Sequence, residues 1–214
     1  VGDIDMEQTQ ALVGAYFGDI PAGEPVTPIL ARYPLPEAFP ILRTDPDTGR
    51  QIGYEETLID PQVELPRFAG TIVGPPRGTP DFYALDLLID ILARGDSSRF
   101  EQNIVRQGLA AAAFTGLADY LGASINYTIA FPNAGDTVEA VQALVLAEFD
   151  EVIATGVTEA ELDRVKKQIQ VNTITSFRES ALNTAEHLQD AVLTFDDPNA
   201  IADELAMYEA VTLE

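Results

Sequence analysis

The stretch TPDFYALDLLIDILARGDSSRFEQNIVRQGLAAAAFTGL, residues 79–117, constrains this chain more than any other. Thr79 can cap a helix and Pro80 can sit in its first turn, where a missing N–H costs nothing. Phe82, Leu85, Leu88, Ile89 and Leu92 then recur at helical spacing, and Leu87 and Ile91 widen the apolar face. A helix this apolar is buried on most sides, which predicts that it lies at the centre of a domain. Arg94-Gly95 ends it, because glycine enters the left-handed conformation without steric penalty. Asp96, Ser97 and Ser98 offer caps for a second helix through Arg99, Phe100, Ile104 and Val105, which Gly108 stops. Leu109 to Phe114 then reads as a buried strand.

On either side of this stretch the pattern alternates between strands and capped helices. Val1-Gly2-Asp3-Ile4 reads as the end of a strand, and Asp5 with Gln8 opens a helix through Leu12, Val13, Tyr16 and Phe17. Prolines at 21, 25, 28, 34, 36, 40 and 46 mark a linker, with a turn at Asp45 to Gly49. Strands are expected over 51–59 and 65–73, then a turn Gly74-Pro75-Pro76-Arg77-Gly78, and a further strand over 118–131. In that last strand Leu121, Ala123, Ile125, Tyr127 and Ile129 alternate with polar or small partners. Asp136 with Glu139 opens an amphipathic helix carrying Val138, Val141, Leu144, Val145, Phe149 and Val152, closed by Gly156. Thr158 and Glu161 form a capping box for a long helix that breaks between Asn172 and Asn183. Asp196-Asp197-Pro198 starts the last helix. This order predicts an α+β fold, an antiparallel-dominated sheet with helices packed on one face.

Bulk properties narrow the function classes. With 35 acidic and 12 basic residues the net charge is −23, which repels phosphate backbones and anionic lipid and excludes nucleic acid as a partner. The apolar residues are too evenly spread for a membrane-spanning segment, so no membrane insertion is expected. An acidic surface of this kind can attract basic peptides. There is no cysteine, hence no disulfide and no thiol catalysis.

Three landmarks carry a family resemblance. They are V-G-D-I-D…L-V-x-x-Y-F-G-D-I-P at the start, G-P-P-R-G followed by D-x-x-A-L-x-x-L-x-x-I-L-x-x-G-x-S-S-R-F over 74–100, and G-V-T-E-A-E-L-D-R-V-K-K over 156–167. In this order the chain resembles the second, non-zinc-binding domain of the pitrilysin/insulinase-type metallopeptidases, which include the mitochondrial processing peptidase and respiratory core proteins. The resemblance implies that residues 1–20 are the closing strand and helix of a preceding zinc-binding domain. Residues 21–50 become a Pro-rich linker, 51–212 the pitrilysin-like C-terminal domain, and Leu213-Glu214 a vector scar. The opening Val1-Gly2-Asp3, without an initiator Met, fits a piece cut from a longer chain.

The family holds zinc with H-x-x-E-H and a distant Glu, the intervening Glu activating the metal-bound water. A single histidine, His187, cannot build that site. Asn183-Thr184-Ala185-Glu186-His187 departs from the motif at its first ligand and lies late in this domain, whereas the family carries the motif on the first helix of the other one. The likeness reads as coincidence, and His187 as a surface or half-buried helix residue. Zinc is therefore expected in the full-length protein or a partner subunit and not on this fragment. The expected partners are a zinc-binding homologous domain, in cis or in another subunit, and a peptide substrate. The family's Arg/Tyr pair, which stabilises the oxyanion, places its Arg near Arg106 and its Tyr among Ala111, Ala112 and Ala113. The pair is thus broken, and Arg106 and Arg99 remain as substrate-binding candidates. Arg99 also reads as a tie between the second helix and loop carbonyls. Glu55-Glu56 and Asp196-Asp197 read as solvated structural acids. The resemblance implies a chamber or lid domain for a zinc peptidase. A non-catalytic assembly subunit of the same fold is the alternative, and an unrelated α+β binding module a third possibility. An exported, periplasmic setting is favoured.

Overall fold

The computed structural model describes residues 3–25, 43–44, 51–53 and 56–213. The chain divides into one unit formed by 1–19 with 66–214 and a second formed by 20–65. In the second unit two short strands, β1 (Arg43–Thr44) and β2 (Gln51–Ile52), pair antiparallel. Of the strand expected over 51–59, residues 51–52 are paired and 56–59 have no regular structure, while 54–55 lie outside the described residues. The prolines from 28 to 46, the turn at 45–49 and Glu55 lie outside the described residues.

The larger unit holds a three-stranded antiparallel sheet in the order β3-β5-β4. The strands are β3 (Phe68–Gly74), β4 (Ala112–Tyr120) and β5 (Ala123–Phe131). The sequence pattern expects a strand over 109–114 and a separate one over 118–131. The structure instead folds 112–131 into one hairpin, with Tyr120 paired to Ala123 across the two residues Leu121-Gly122. Gly122 has φ +88°, which a tight turn requires and a side chain resists. Leu109 is exposed, not buried.

Helix α1 (Met6–Phe17) starts on Asp5, whose carboxylate accepts from the Gln8 N–H at 2.8 Å. None of its residues is buried. Helix α2 (Pro80–Ala93) begins on Thr79 with Pro80 in its first turn and ends at Arg94, Gly95 taking φ +77°. Expected as a regular second helix, the segment after it is a π-turn at Glu101–Val105, closed by Arg106 N–H to Glu101 O and Leu109 N–H to Ile104 O. Helix α3 (Val138–Thr155) is capped by Thr137, one residue later than expected. Helix α4 (Glu159–Glu179) has the full Thr158/Glu161 capping box. It breaks at Ser180, inside the expected interval, and Ser180 then caps α5 (Ala181–Phe195). Helix α6 (Ala200–Ala210) follows, starting at Asn199 and not at Asp196. Asp196 ends α5 in the left-handed conformation, and the Asp197 carboxylate accepts from the Asn199 N–H at 2.8 Å.

Helix α2 is buried on both sides. Leu92, with Leu88 and Ala93, packs toward Phe68, Ala113 and Ala130 of the sheet and toward Val141 and Val145 of α3. Leu87 and Ile91 face Leu162, Val165 and Ile169 of α4 and Leu205 and Tyr208 of α6. Phe68 pairs with Ala130 and Ala113 with Ala130, so α2 and α3 cover one and the same sheet face. That face is unexpectedly polar. Along β5 the buried residues are Ser124, Asn126, Thr128 and Ala130, whereas Tyr127 is exposed and Ile125, Ile129 and Phe131 are half-exposed. A one-sided antiparallel sheet ordinarily turns its apolar residues to the helices, and here the parity is reversed. Hydrogen bonds make the reversal tolerable. Asn126 donates to Thr115 Oγ1 at 2.8 Å and to Gly116 O at 2.9 Å. Thr128 donates to Thr115 Oγ1 at 2.9 Å, and Thr115 to Tyr127 O at 3.0 Å.

Candidate functional site

The densest charged constellation surrounds Arg77, at the end of the Gly-Pro-Pro-Arg turn between β3 and α2. Its guanidinium makes a bidentate pair with Glu204 of α6, Nε to Oε1 at 2.7 Å and Nη2 to Oε2 at 2.6 Å. Nη1 reaches Asp190 of α5 at 2.6 Å and Asp119 of β4 at 2.9 Å. The guanidinium also lies 5.6 Å from the centre of the Phe195 ring. Glu204, foremost by its hydrogen bonds, holds the Arg77 charge more firmly than usual. Tyr83 donates to Glu204 Oε1 at 3.0 Å, and Tyr208 to Asp86 Oδ2 at 2.6 Å. Burial first, then these carboxylates, raise the pKa of both phenols, keeping them as donors. Burial also raises Asp86, against the Tyr208 hydrogen bond, and pushes Asp90 up to about 6. A cleft of about 250 Å³ lies among these groups, His187, Arg94 and Leu205. Asp119, Asp190 and Glu204 all pair with Arg77, so the constellation ties four elements together rather than activating any one atom. The sequence shows Arg77 only as part of a turn motif. Its partners lie 42 to 127 residues away, beyond any local pattern.

Arg99 and Arg106, the substrate-binding candidates, have different surroundings. Arg99 forms a bidentate pair with Glu161, Nε to Oε1 at 2.8 Å and Nη2 to Oε2 at 3.0 Å, and donates to the Gly156 carbonyl at 3.1 Å. Those hydrogen bonds, before any other cause, hold the Glu161 carboxyl well below the usual range, at about 2. Arg106 is half-exposed, with Glu101 at 3.1 Å and Asp96 at 3.5 Å. The structure does not bring the two arginines into one cleft: Arg99 lines a cleft with Ser97, Glu148 and Glu151, and Arg106 does not.

His187 is half-buried in α5, its Nε2 2.9 Å from Ser176 Oγ and its ring 4.8 Å from that of Phe177. Asn183 has its N–H bonded to Ser180 Oγ at the start of α5, a capping role. Among the described residues no three of His, Cys, Asp or Glu come together as a metal site. The side chains present do not fit the family's zinc, and no step of a reaction is assigned to a metal on this chain. No described helix is long and apolar enough to cross a membrane.

The remaining feature is the sheet face opposite α2 and α3. Phe114 and Phe131 pair across it with ring centres 6.3 Å apart. The Tyr127 ring lies across Gly116, where a Cβ would come within 2.5 Å of the phenol oxygen. Tyr120 and Val73 are exposed on the same side.

Comparison with solved structures finds the same fold in several proteases. A protease from Helicobacter pylori superposes with a TM-score of 0.77 at 21% identity, covering 100% of this chain and 48% of that one. This chain thus spans about half the length of that protease. The periplasmic protease PqqL from Escherichia coli gives a TM-score of 0.70 at 19% identity, over 100% of this chain and 22% of that one. A chain of Complex III2 from Candida albicans gives 0.60 at 14% identity, over 76% and 41%. A search of curated proteins finds no match. The model of the Peptidase M16 inactive domain matches residues 1–169. With its antiparallel sheet under one layer of helices and its three ordered landmarks, the chain belongs to the Peptidase M16 family, as an inactive domain of the second, non-zinc-binding type.

Proposed function

We propose that this domain is the lid of a two-part zinc peptidase. It closes over a zinc-binding M16 domain, in cis or in a partner subunit, and helps hold an extended peptide by strand addition to that partner's sheet edge. Bond cleavage, metal-assisted hydrolysis, belongs to the other domain. The observation that carries this reading is the reversed sheet, which keeps Ile125, Tyr127, Ile129 and Phe131 on the side opposite α2 and α3, where no helix packs among the described residues. Helix α1 adds support: Leu12, Val13, Tyr16 and Phe17 are all exposed, as expected of a helix that belongs to a neighbouring domain. Of the two arginines, Arg106 takes the substrate-contacting role, since the donors of Arg99 already serve Glu161 and Gly156.

The test uses the chain with a zinc-binding M16 domain encoded in the same genome and a quenched fluorescent peptide. The chain alone is expected to hold no stoichiometric zinc and cleave nothing, and to raise cleavage by the zinc domain when the two are combined. Arg106→Ala should raise KM with little change in kcat. Cleavage by this chain alone, or one zinc per chain, overturns the proposal. A scaffold role is favoured by one feature, the alanines 111–113 where the family's Tyr belongs. Stable association without any gain in cleavage is its expected signature.

A further inference from the structure

Where helix α2 meets α4, the apolar contact of Leu87 and Ile91 with Leu162, Val165 and Ile169 has a charged edge. Asp90 of α2 is 4% exposed, and Arg94 holds its Oδ1 at 3.0 Å. Its Oδ2 is buried with no hydrogen-bond partner among the described residues. Across the seam Arg164 of α4 presents the opposite case, a buried Nη2 that donates to no described residue. The two charges sense each other: burial lifts the Asp90 carboxyl, and Arg94 and then Arg164 work against that lift. A carboxylate and a guanidinium thus attract across the seam without bonding. Each orphaned atom carries the full desolvation cost of its group unless a partner reaches it.

We propose that one buried water molecule bridges Asp90 Oδ2 and Arg164 Nη2 and fastens α2 to α4 from within. A polar gap between groups that attract without touching is where ordered water sits in protein interiors. Water suits both ends, donating to the carboxylate and accepting from the guanidinium. It suits the neutral carboxyl as well, because water also accepts from an O–H, so the bridge holds whether or not Asp90 is ionised. The surrounding charge argues against an ion in its place. A cation would face Arg94 and Arg164, and an anion would face Asp90 with Asp86 one turn before it on α2. The bridge is independent of what the domain binds, and so of the lid reading above.

The experiment counts that water. In crystals of the 214-residue chain that diffract well enough to show ordered solvent, a single water is expected within about 2.7–3.2 Å of both Asp90 Oδ2 and Arg164 Nη2. In solution, magnetic relaxation dispersion of water oxygen reads internal waters by their long residence in the protein. Asp90→Asn keeps an acceptor at the site and should leave the count unchanged. Asp90→Leu combined with Arg164→Met removes both anchors without stranding a buried charge between them, and should lower the count by one while circular dichroism reports an intact fold. Arg94, 48% exposed, then turns to solvent. A direct Asp90–Arg164 hydrogen bond, an ion or another side chain seated between the two, or a gap with no density overturns the proposal. So does a count that falls in Asp90→Asn, or one that stays the same in the folded double variant. Should the double variant not fold, the crystal and the Asp90→Asn count still decide.

Discussion

Asp90 is the clearest case of a residue held at a cost. It is buried on α2, its Oδ1 meets Arg94 Nε at 3.0 Å, and its Oδ2 has no partner. Burial lifts its carboxyl from 3.8 to about 6. The folded state therefore binds this proton more tightly than the unfolded chain, and stability falls as pH rises from about 4 through about 6. Above that window the penalty is complete, on the order of 2–3 kcal/mol. Asp90→Asn should accordingly raise unfolding stability at pH 7.5 by up to that amount and leave it nearly unchanged near pH 4, as urea titrations at the two values would show. Glu161 has the opposite sign. Arg99, by hydrogen bonding, draws its carboxyl down to about 2, so the stability it contributes is present above about 4.5 and fades as pH falls through 2. Arg99→Ala should cost about 1–3 kcal/mol at neutral pH and leave KM for peptide unchanged in the combined enzyme. A raised KM at unchanged stability would instead make Arg99 a substrate contact.

At the scale of elements, β5 depends on its polar network. Asn126 serves two acceptors, so Asn126→Val should cost about 1–3 kcal/mol, chiefly through the Gly116 carbonyl, since the Thr115 hydroxyl keeps Thr128 and Tyr127 as partners. Replacing Thr115, Asn126 and Thr128 together by Val should cost less than the sum of the three single changes, because no unsatisfied partner among them remains. Chemical denaturation of the full set measures that coupling. Additive losses would mean that the three side chains act separately. The network also sets which way the strand faces, since a slip of one residue would turn Tyr127 and Ile129 under α2 and expose the hydroxyls.

In the larger unit as a whole, Arg77 is the joint. It fastens the turn before α2 to β4, α5 and α6 through three carboxylates, with its own side chain only 19% exposed. Arg77→Ala should destabilise by about 3–5 kcal/mol, the range for stranding a buried charge. Loss of protection in amide exchange should centre on α5 and α6. Helix α1 lies at the other extreme: with no buried residue, Tyr16→Ser should change stability by less than about 0.5 kcal/mol. A larger loss in thermal unfolding would show that α1 packs within this chain.

Caps and glycines made most helices legible in advance. Asp5, Thr79-Pro80, Arg94-Gly95 and Thr158 with Glu161 act on neighbours within one turn, so their meaning is local and is written in adjacent residues. The three family landmarks, likewise short, placed the chain in its fold. The hairpin at Leu121-Gly122 escaped because the alternation of apolar residues runs straight through the turn, and the π-turn because no residue type announces an extra residue. The sequence by itself determined the starts of α1, α2 and α4, the central place of α2 and the membership of the fold. Only the tertiary structure decided which face of β5 is covered and what Arg77 holds. Both depend on groups brought together from far along the chain, where a period of two fits either face equally well and one arginine among 35 acids has no locally marked partner.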